Sequence, residues 1–195
     1  DLSWTVPAVL SPGGIREMID HWARGARRLQ RAGFSGVEIS AGHGHLLHQF
    51  LSPWSNRRTD QYGGDLKNRV RFLTELVSAI RGECGRPFII ALKLPGDDGV
   101  AGGIDLEMAS AINTLLAELA EDFDLWTWVW GAHARSLHQH LPDAHGTRHP
   151  YLEHIKALRS EHPSIATGAI GYLTDPTECE SALTNGTSDV VFLGR

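Results

Sequence analysis

The stretch GVEISAGHGHLLHQFLSPWSNRRTDQYGG, residues 36–64, decides the fold of this chain. It opens with a predicted short buried strand, residues 37–39, and passes at once into Ser40, His43 and His45. A long polar segment follows before the next predicted helix begins. In α/β enzymes the side chains that carry the chemistry lie just beyond the carboxyl ends of strands. The sequence therefore predicts a functional site at this strand end.

The whole chain alternates between predicted strands and predicted helices. The predicted strands are residues 37–39, 88–94, 125–130, 165–167 and 189–193. The predicted helices begin at the capping signals Ser11-Pro12, Asp105 and Asp175-Pro176, or cover residues 68–80 and 151–159. Strict alternation predicts right-handed βαβ units and a parallel sheet, hence the α/β class. The pattern alone fits both a partial barrel and an open doubly wound sheet.

Composition narrows the function classes. The chain has 195 residues and a net charge of -5 that is spread along it, which argues against nucleic acid or an anionic membrane as a partner. No apolar run approaches the roughly 20 residues of a membrane span. Cys84 and Cys179 lie far apart without metal-binding spacing, which predicts a cytoplasmic protein with no disulfide, no iron–sulfur cluster and no metal site of its own.

The segment GVEISAGHGHLLHQFLSPWSNRRTDQYGGDLKNRVRF also carries a family resemblance. It resembles the part of the old yellow enzyme-like, FMN-dependent NADH:flavin oxidoreductases that follows the fourth barrel strand. The shared signature is QFLSP-x-SN-x-RTD-x-YGG-x-x-x-NR-x-RF. Within that family the chain is most similar to the branch of dienoyl-CoA reductases and trimethylamine dehydrogenase-type enzymes.

The resemblance implies a TIM (β/α)8 barrel, of which this chain would supply strands four to eight with their helices. A complete barrel takes about 250 residues. Residues 1–195 are therefore expected to be a single incomplete FMN-binding barrel domain that lacks strands one to three and the final helix. We expect such a piece to expose an unpaired sheet edge and to be inactive alone.

The implied activity is that of an FMN-dependent oxidoreductase acting on a small-molecule substrate. NADH or NADPH would deliver hydride to flavin N5, and the flavin would reduce an activated alkene of the enoate or dienoyl type. A trimethylamine dehydrogenase-type oxidation of amines is the alternative within the family. The resemblance leaves open a 4Fe-4S cluster and FAD in other parts of the parent protein, and a homo-oligomeric assembly.

The resemblance also implies which residues would contact the substrate. Two positions three apart bind the polar group of the substrate over the flavin, and they fall on Ser40 and His43. Ser40 departs from the common His and shortens that arm. The proton-donating position, often Tyr, is His45. An imidazole with an ordinary pKa of about 6.5 can donate a proton near neutrality. We predict catalytic roles for His43 and His45.

Cofactor contacts are implied at three places. Lys93 lies at the end of the second predicted strand. The family usually has an Arg at this position, near flavin N1 and O2. A lysine keeps the positive charge but lacks the planar guanidinium group. The turn after the fourth strand and the chain end match the turns that hold the FMN phosphate, the Arg adding a charge-assisted contact. The residues concerned are Gly168, Ala169, Ile170, Gly171, Gly194 and Arg195.

For the other polar and aromatic residues the sequence predicts mainly structural roles. Trp126, Trp128 and Trp130 alternate along one strand and so share a face, which favours packing, with Trp130 and His133 at its end as further substrate-binding candidates. We predict packing or helix capping for His48, and the same structural role is the alternative for His45. Charged side chains of the SNRRTD segment are predicted to form a structural ion-pair set: Arg57, Arg58 and Asp60.

A metal-dependent amidohydrolase is the rival from another class. Its ligand set would draw on His43, His45, Lys93, His133 and Asp189. Those barrels open with their HxH on the first strand and lack the QFLSP…SNRRTDQYGG segment, so the flavoenzyme remains the favoured hypothesis.

Overall fold

The structure, a computed structural model, describes residues 8–119, 121–132, 136–140 and 150–193. One parallel sheet is flanked by helices. Its strands are β1 (Gly36–Ser40), β2 (Ile89–Asp97), β3 (Leu125–Trp130), β4 (Ala166–Ala169) and β5 (Val190–Val191). The helices are α1 (Pro12–Arg31), α2 (Leu46–Leu51), α3 (Leu66–Cys84), α4 (Leu106–Ala117), α5 (Leu137–His140), α6 (Leu152–Glu161) and α7 (Pro176–Thr184).

Strand order decides between the two architectures that the sequence left open. The five strands lie in the order β1-β2-β3-β4-β5, and each pair is parallel. A doubly wound sheet reverses its strand order at a switch point, whereas a (β/α) barrel adds each strand beside the previous one. The sheet is therefore a segment of a (β/α)8 barrel, as predicted.

Helix starts follow local capping chemistry. The Ser11 hydroxyl accepts a hydrogen bond from the Gly14 amide at 3.0 Å, and Asp105 accepts one from Met108 at 2.9 Å. Asp175 likewise caps α7 through the Thr177 amide. Each side chain satisfies a backbone N–H that lacks a partner in the first turn of its helix. The predicted starts at these three residues are confirmed.

Several predicted boundaries are wrong. Helix α2 lies inside the segment that we predicted to be polar and non-helical, because Leu47, Phe50 and Leu51 bury one helical face in the core. Helix α5 was also missed. Strand β2 continues to Asp97 through a predicted loop, and β4 continues to Ala169 through a predicted turn.

The first and last strands also differ from prediction. Only Ile39 of β1 is buried, whereas Glu38 and Ser40 are exposed, so β1 is not the fully buried strand expected. Strand β5 covers only Val190 and Val191 of the predicted residues 189–193, although the Asp189 and Phe192 amides also donate to carbonyls of β4.

The two faces of the sheet face different parts of the molecule, one the helix layer and the other the inside of the barrel. Trp126 and Trp128 point to the helix layer, where the Trp128 indole donates to Asn113 of α4 at 3.2 Å. Both rings are fully buried, so the predicted packing role is confirmed for these two residues. Strand positions of the other parity line the inner face of the barrel.

The family signature has a structural role in the link between α2 and α3. The Asn56 amide donates to the carbonyls of Phe50 and Tyr62 at 2.6 and 2.8 Å. Arg58 pairs with Asp60 through two hydrogen bonds, and buried Arg69 donates to the Leu51 carbonyl at 2.9 Å. The bonds from Asn56 and Arg69 satisfy backbone carbonyls in the last turn of α2 and in the link that follows it. The Arg58–Asp60 ion pair matches the structural role predicted for it.

Two further features were checked. Within the described ranges, no helix combines the length and hydropathy that a membrane crossing requires. Cys84 and Cys179 are both free thiols, in agreement with the predicted lack of a disulfide.

Candidate active site at the carboxyl end of the sheet

One register row crosses the inner face near the carboxyl ends of the strands. Ser40 pairs with Lys93, Lys93 with Thr127, and Thr127 with Gly168. Paired residues in a parallel sheet point to the same face. Three of the predicted site residues, Ser40, Lys93 and Gly168, are therefore brought into one row by backbone pairing.

Lys93 has an ion-pair partner that the sequence did not reveal. Its ammonium group lies 2.6 Å from the Glu38 carboxylate, with 21% and 30% of the two side chains exposed. Both residues are on the inner face, two positions apart in register. A partly exposed pair keeps both groups charged while leaving them accessible to a third polar group. Lys93 therefore presents an anchored cation on the inner face, in the middle of β2 and level with the last residue of β1.

Thr127 offers a hydrogen-bonding group without a partner. Its hydroxyl is buried, and among the described residues it makes no hydrogen bond. A buried hydroxyl that stays unpaired costs about 1–3 kcal/mol. Thr127 lies between Lys93 and Gly168 in the row, so a polar ligand bound on the inner face is a candidate hydrogen-bond partner for its hydroxyl.

Gly168 within β4 and Gly171 after it are glycines for different structural reasons. A Cβ at Gly168 would lie 2.4 Å from the Phe192 ring and 2.6 Å from Thr127, so the missing side chain makes room for protein atoms. Gly171 has φ +121°, a backbone conformation that favours glycine. The predicted phosphate contacts at Gly168, Ala169, Ile170 and Gly171 stay predictions. Gly194 and Arg195, like His133, lie outside the described residues.

The loop after β1 places His43 against a histidine from a different part of the chain. His43 has φ +58°, which is uncommon for a residue with a side chain. Its ring stacks on His140 of α5 with centroids 3.7 Å apart and planes 15° apart. His45 lies edge-on to His43 at 6.5 Å. The loops after β1 and β3 together therefore form an imidazole cluster.

The electrostatics of this cluster keep His43 neutral. Burial, followed by the nearby His140, Lys93, His45 and His48, lowers the pKa of His43 to about 3. Burial and His45 also lower the pKa of His140. A neutral imidazole has one N–H donor and one acceptor nitrogen. His43 can thus hydrogen-bond a carbonyl oxygen without adding a charge beside Lys93.

We expect the His43 ring signals to stay constant between pH 5 and 8 in an NMR titration, because its pKa is depressed to about 3. An unfolded chain protonates this imidazole near pH 6.5. The unfolded state therefore binds more protons between pH 6.5 and 3, and stability falls as pH decreases through that window. The drop in Tm from pH 7 to pH 4.5 should be smaller in His43→Asn than in the parent. A His43 signal that titrates near pH 6.5 would contradict this.

His45 begins α2 as its N-cap residue, and its side chain makes no capping hydrogen bond. The imidazole is exposed at the carboxyl end of β1. The predicted capping alternative therefore does not account for this side chain. Its position permits proton exchange with solvent and with a molecule held next to His43.

Trp130 packs tightly against an aromatic neighbour. Its ring is 3% exposed and stacks on Tyr151 with centroids 4.2 Å apart and planes 2° apart. Burial, with Asp97 nearby, raises the pKa of Tyr151 to about 12, and its hydroxyl donates to the Gln139 carbonyl at 2.6 Å. The substrate contact predicted for Trp130 stays a prediction.

Of the metallohydrolase ligand set, His133 lies outside the described residues and Asp189 is engaged elsewhere. Asp189 directly precedes β5. Its carboxylate accepts two hydrogen bonds from the Arg159 guanidinium and a third from the Thr167 amide. Asp189 is thus at the amino end of β5, with its carboxylate paired to α6. Within the described ranges, no group of three histidine, cysteine or acidic residues is arranged to hold a metal ion.

Sequence reasoning missed two residues of the site, one on β1 and one on α5. Glu38 and His140 join it through pairing and packing, and no motif marks either of them. His48, predicted to be a packing or capping residue, is buried in a hydrogen-bonded contact with Asp98 at 2.6 Å. A polar residue among the apolar side chains of LLHQFL was the available signal for His48.

Comparison with known proteins identifies relatives along almost the entire chain. The family model described as NADH:flavin oxidoreductase / NADH oxidase family matches residues 4–195. NADPH dehydrogenase from Bacillus cytotoxicus is 33% identical over 190 residues, which are 97% of this chain and 52% of that protein. The chain thus spans about half the length of this curated relative.

Solved structures share the same fold. A 2-naphthoyl-CoA reductase complex superposes with a TM-score of 0.85 at 30% identity, covering 93% of this chain and 27% of that one. Morphinone reductase in complex with tetrahydroNAD superposes with a TM-score of 0.72 at 27% identity, covering 96% and 47% respectively. The sheet described above therefore corresponds to part of a TIM barrel in these enzymes.

Proposed function

Because this chain belongs to the NADH:flavin oxidoreductase / NADH oxidase family, we propose that it is part of an FMN-dependent reductase of activated alkenes. The substrate class is a small molecule whose double bond is conjugated to a carbonyl or thioester. We propose NADPH as the reductant, since the Bacillus relative is named NADPH dehydrogenase. The described sheet would then be part of one FMN-binding barrel domain.

Three residues would act on the substrate or its cofactor. His43 donates its N–H to the carbonyl oxygen, assisted by the exposed Ser40 hydroxyl, and so polarises the alkene. His45 supplies the proton to the neighbouring carbon. Lys93 presents a positive charge beside the cofactor, with Glu38 fixing its ammonium group. The observation that supports these roles most directly is the neutral His43 beside the row that carries Ser40 and Lys93.

The inner face fits a flavin on chemical grounds. Ser40, Lys93 and the Thr127 hydroxyl, which has no partner among the described residues, form one row of polar groups that a ring with carbonyl and amide edges can satisfy. Lys93 and Thr127 would hold that edge. When bound, FMN supplies hydride transfer, which the side chains of this chain cannot perform.

The first test is the visible spectrum of the full-length protein, purified without added cofactor and titrated anaerobically with NADPH and then NADH. We expect a flavin band that NADPH bleaches and that a conjugated enone restores. A band that ignores both nucleotides but bleaches with amines would transfer the assignment to the amine dehydrogenase alternative. Absence of flavin from the purified protein, together with no uptake of added FMN, would reject the proposal.

A further inference from the structure

A buried polar network lies beneath the His43 loop and has no place in the proposed chemistry. His48, Ser52, Asp98 and Ser136 are each at most 2% exposed. They come from α2, the residue after it, the loop after β2 and the start of α5. Buried polar groups are costly unless fully paired, so this network must be well satisfied to persist.

The network fixes the tautomer of His48. The Gly44 amide donates to His48 Nδ1 at 2.8 Å, so that nitrogen holds a lone pair. The proton must then be on Nε2, which donates to Asp98 Oδ1 at 2.6 Å. The other carboxylate oxygen accepts from the Ser52 hydroxyl at 2.6 Å and the Ile104 amide at 2.9 Å. Asp98 therefore receives three donors and fixes His48 in one orientation.

The same aspartate also reaches the loop after β3. The Ser136 hydroxyl donates to the Asp98 carbonyl at 2.7 Å and accepts from the Ala132 amide at 2.7 Å. Ser136 directly precedes α5, which carries His140. Asp98 thus connects, through two different atoms, the loop before α2 and the helix that packs on His43.

His43 needs this support because its backbone is strained. It has φ +58°, and the following Gly44 has φ +74°. A residue with a side chain pays about 1–2 kcal/mol in this left-handed region. The hydrogen bond from Gly44 to His48 holds the second of these residues, and the stack on His140 holds the ring of the first.

We propose that His48 and Asp98 are positioning residues for His43, acting through the Gly44 amide on one side and through Ser136 and His140 on the other. The consequence for catalysis rests on the proposed function, in which His43 binds the substrate carbonyl. The geometric consequence does not, because the orientation of His43 can be measured without substrate.

Two amide substitutions at His48 separate its two hydrogen bonds. In His48→Asn the amide oxygen can replace Nδ1 and accept from Gly44, but the side chain is too short to reach Asp98. In His48→Gln the amide reaches Asp98 and leaves the Gly44 amide without an acceptor. The two variants have similar polarity and each breaks one contact.

The experiment records the His43 ring signals by NMR and the KM and kcat for an enone, using the flavin-loaded full-length protein. We expect His48→Gln to shift the His43 signals and raise KM about tenfold, equivalent to about 1.4 kcal/mol. His48→Asn should keep the signals and leave KM within about threefold. A purely structural role would lower Tm in both variants and leave KM and the His43 signals equal between them.

Ser136→Ala is a second, independent test in case His48→Gln does not fold. It removes the link to α5 and is expected to shift the His43 and His140 signals together. Unchanged His43 signals in both His48→Gln and Ser136→Ala would overturn the positioning role, even if His43→Ala abolishes turnover. The third outcome is that the His43 signals shift while KM stays unchanged in both His48→Gln and His43→Ala. That result would support the positioning role and refute the substrate contact of the proposed function.

Discussion

Replacing His43 with alanine is expected to lower kcat/KM for enone reduction by about 10²- to 10³-fold, the effect of removing one donor to a developing oxyanion. The reason is that alanine has no N–H to polarise the substrate carbonyl. Alanine also retains the strain of φ +58° without the ring that stacks on His140. The measurement is steady-state kinetics with NADPH held saturating.

His43→Asn is the matched control. Asparagine keeps an N–H donor and tolerates the left-handed region better than other residues with side chains. We expect it to retain kcat/KM within about tenfold of the parent, since a donor placed at hydrogen-bonding distance is the requirement. If His43→Ala stays within threefold of the parent, His43 does not bind the substrate carbonyl.

Replacing Asp98 with alanine is expected to reduce the free energy of unfolding by about 3–5 kcal/mol. The substitution leaves the donors of His48, Ser52 and Ile104 without an acceptor inside the protein, and each unpaired buried group is costly. Urea denaturation of the flavin-loaded protein at fixed FMN concentration provides the measurement, because a bound cofactor adds to apparent stability.

Asp97→Ala is the internal control for Asp98→Ala. Asp97 is the neighbouring carboxylate, is only half-buried, and accepts from the exposed Gly99 amide. Its loss should cost less than about 1 kcal/mol. Equal destabilisation by the two substitutions would show that the Asp98 network is not a distinct source of stability.

The effect of Asp98 should also depend on pH. Burial alone would raise the pKa of Asp98, but the hydrogen bonds that its carboxylate accepts from His48, Ser52 and the Ile104 amide lower it below its usual value. A carboxylate with a depressed pKa stabilises the fold fully above its unfolded pKa of about 3.9. That contribution is lost as pH falls through the folded pKa. The stability gap between parent and Asp98→Ala should therefore narrow below pH 4.

The site illustrates what backbone pairing adds to a motif. Ser40 and Lys93 were each identified in the sequence from family positions, and their alignment in one row follows from the register of β1 and β2. The Glu38 contact to Lys93 could not be foreseen, because strand alternation predicts a face but not a register. The stack of His43 on His140 joins loops from two strands that do not pair with one another.

The sequence by itself determined the α/β class, the helix starts at Ser11, Asp105 and Asp175, and the position of His43 after a strand. These features depend on capping, periodicity and strand ends, which act over a few residues. The family resemblance predicted the barrel and the strand order confirms it, whereas the pairing of His48 with Asp98, 50 residues away, is known only from the tertiary structure. Contacts of that kind arise from strand order and packing, whose energies local sequence does not contain.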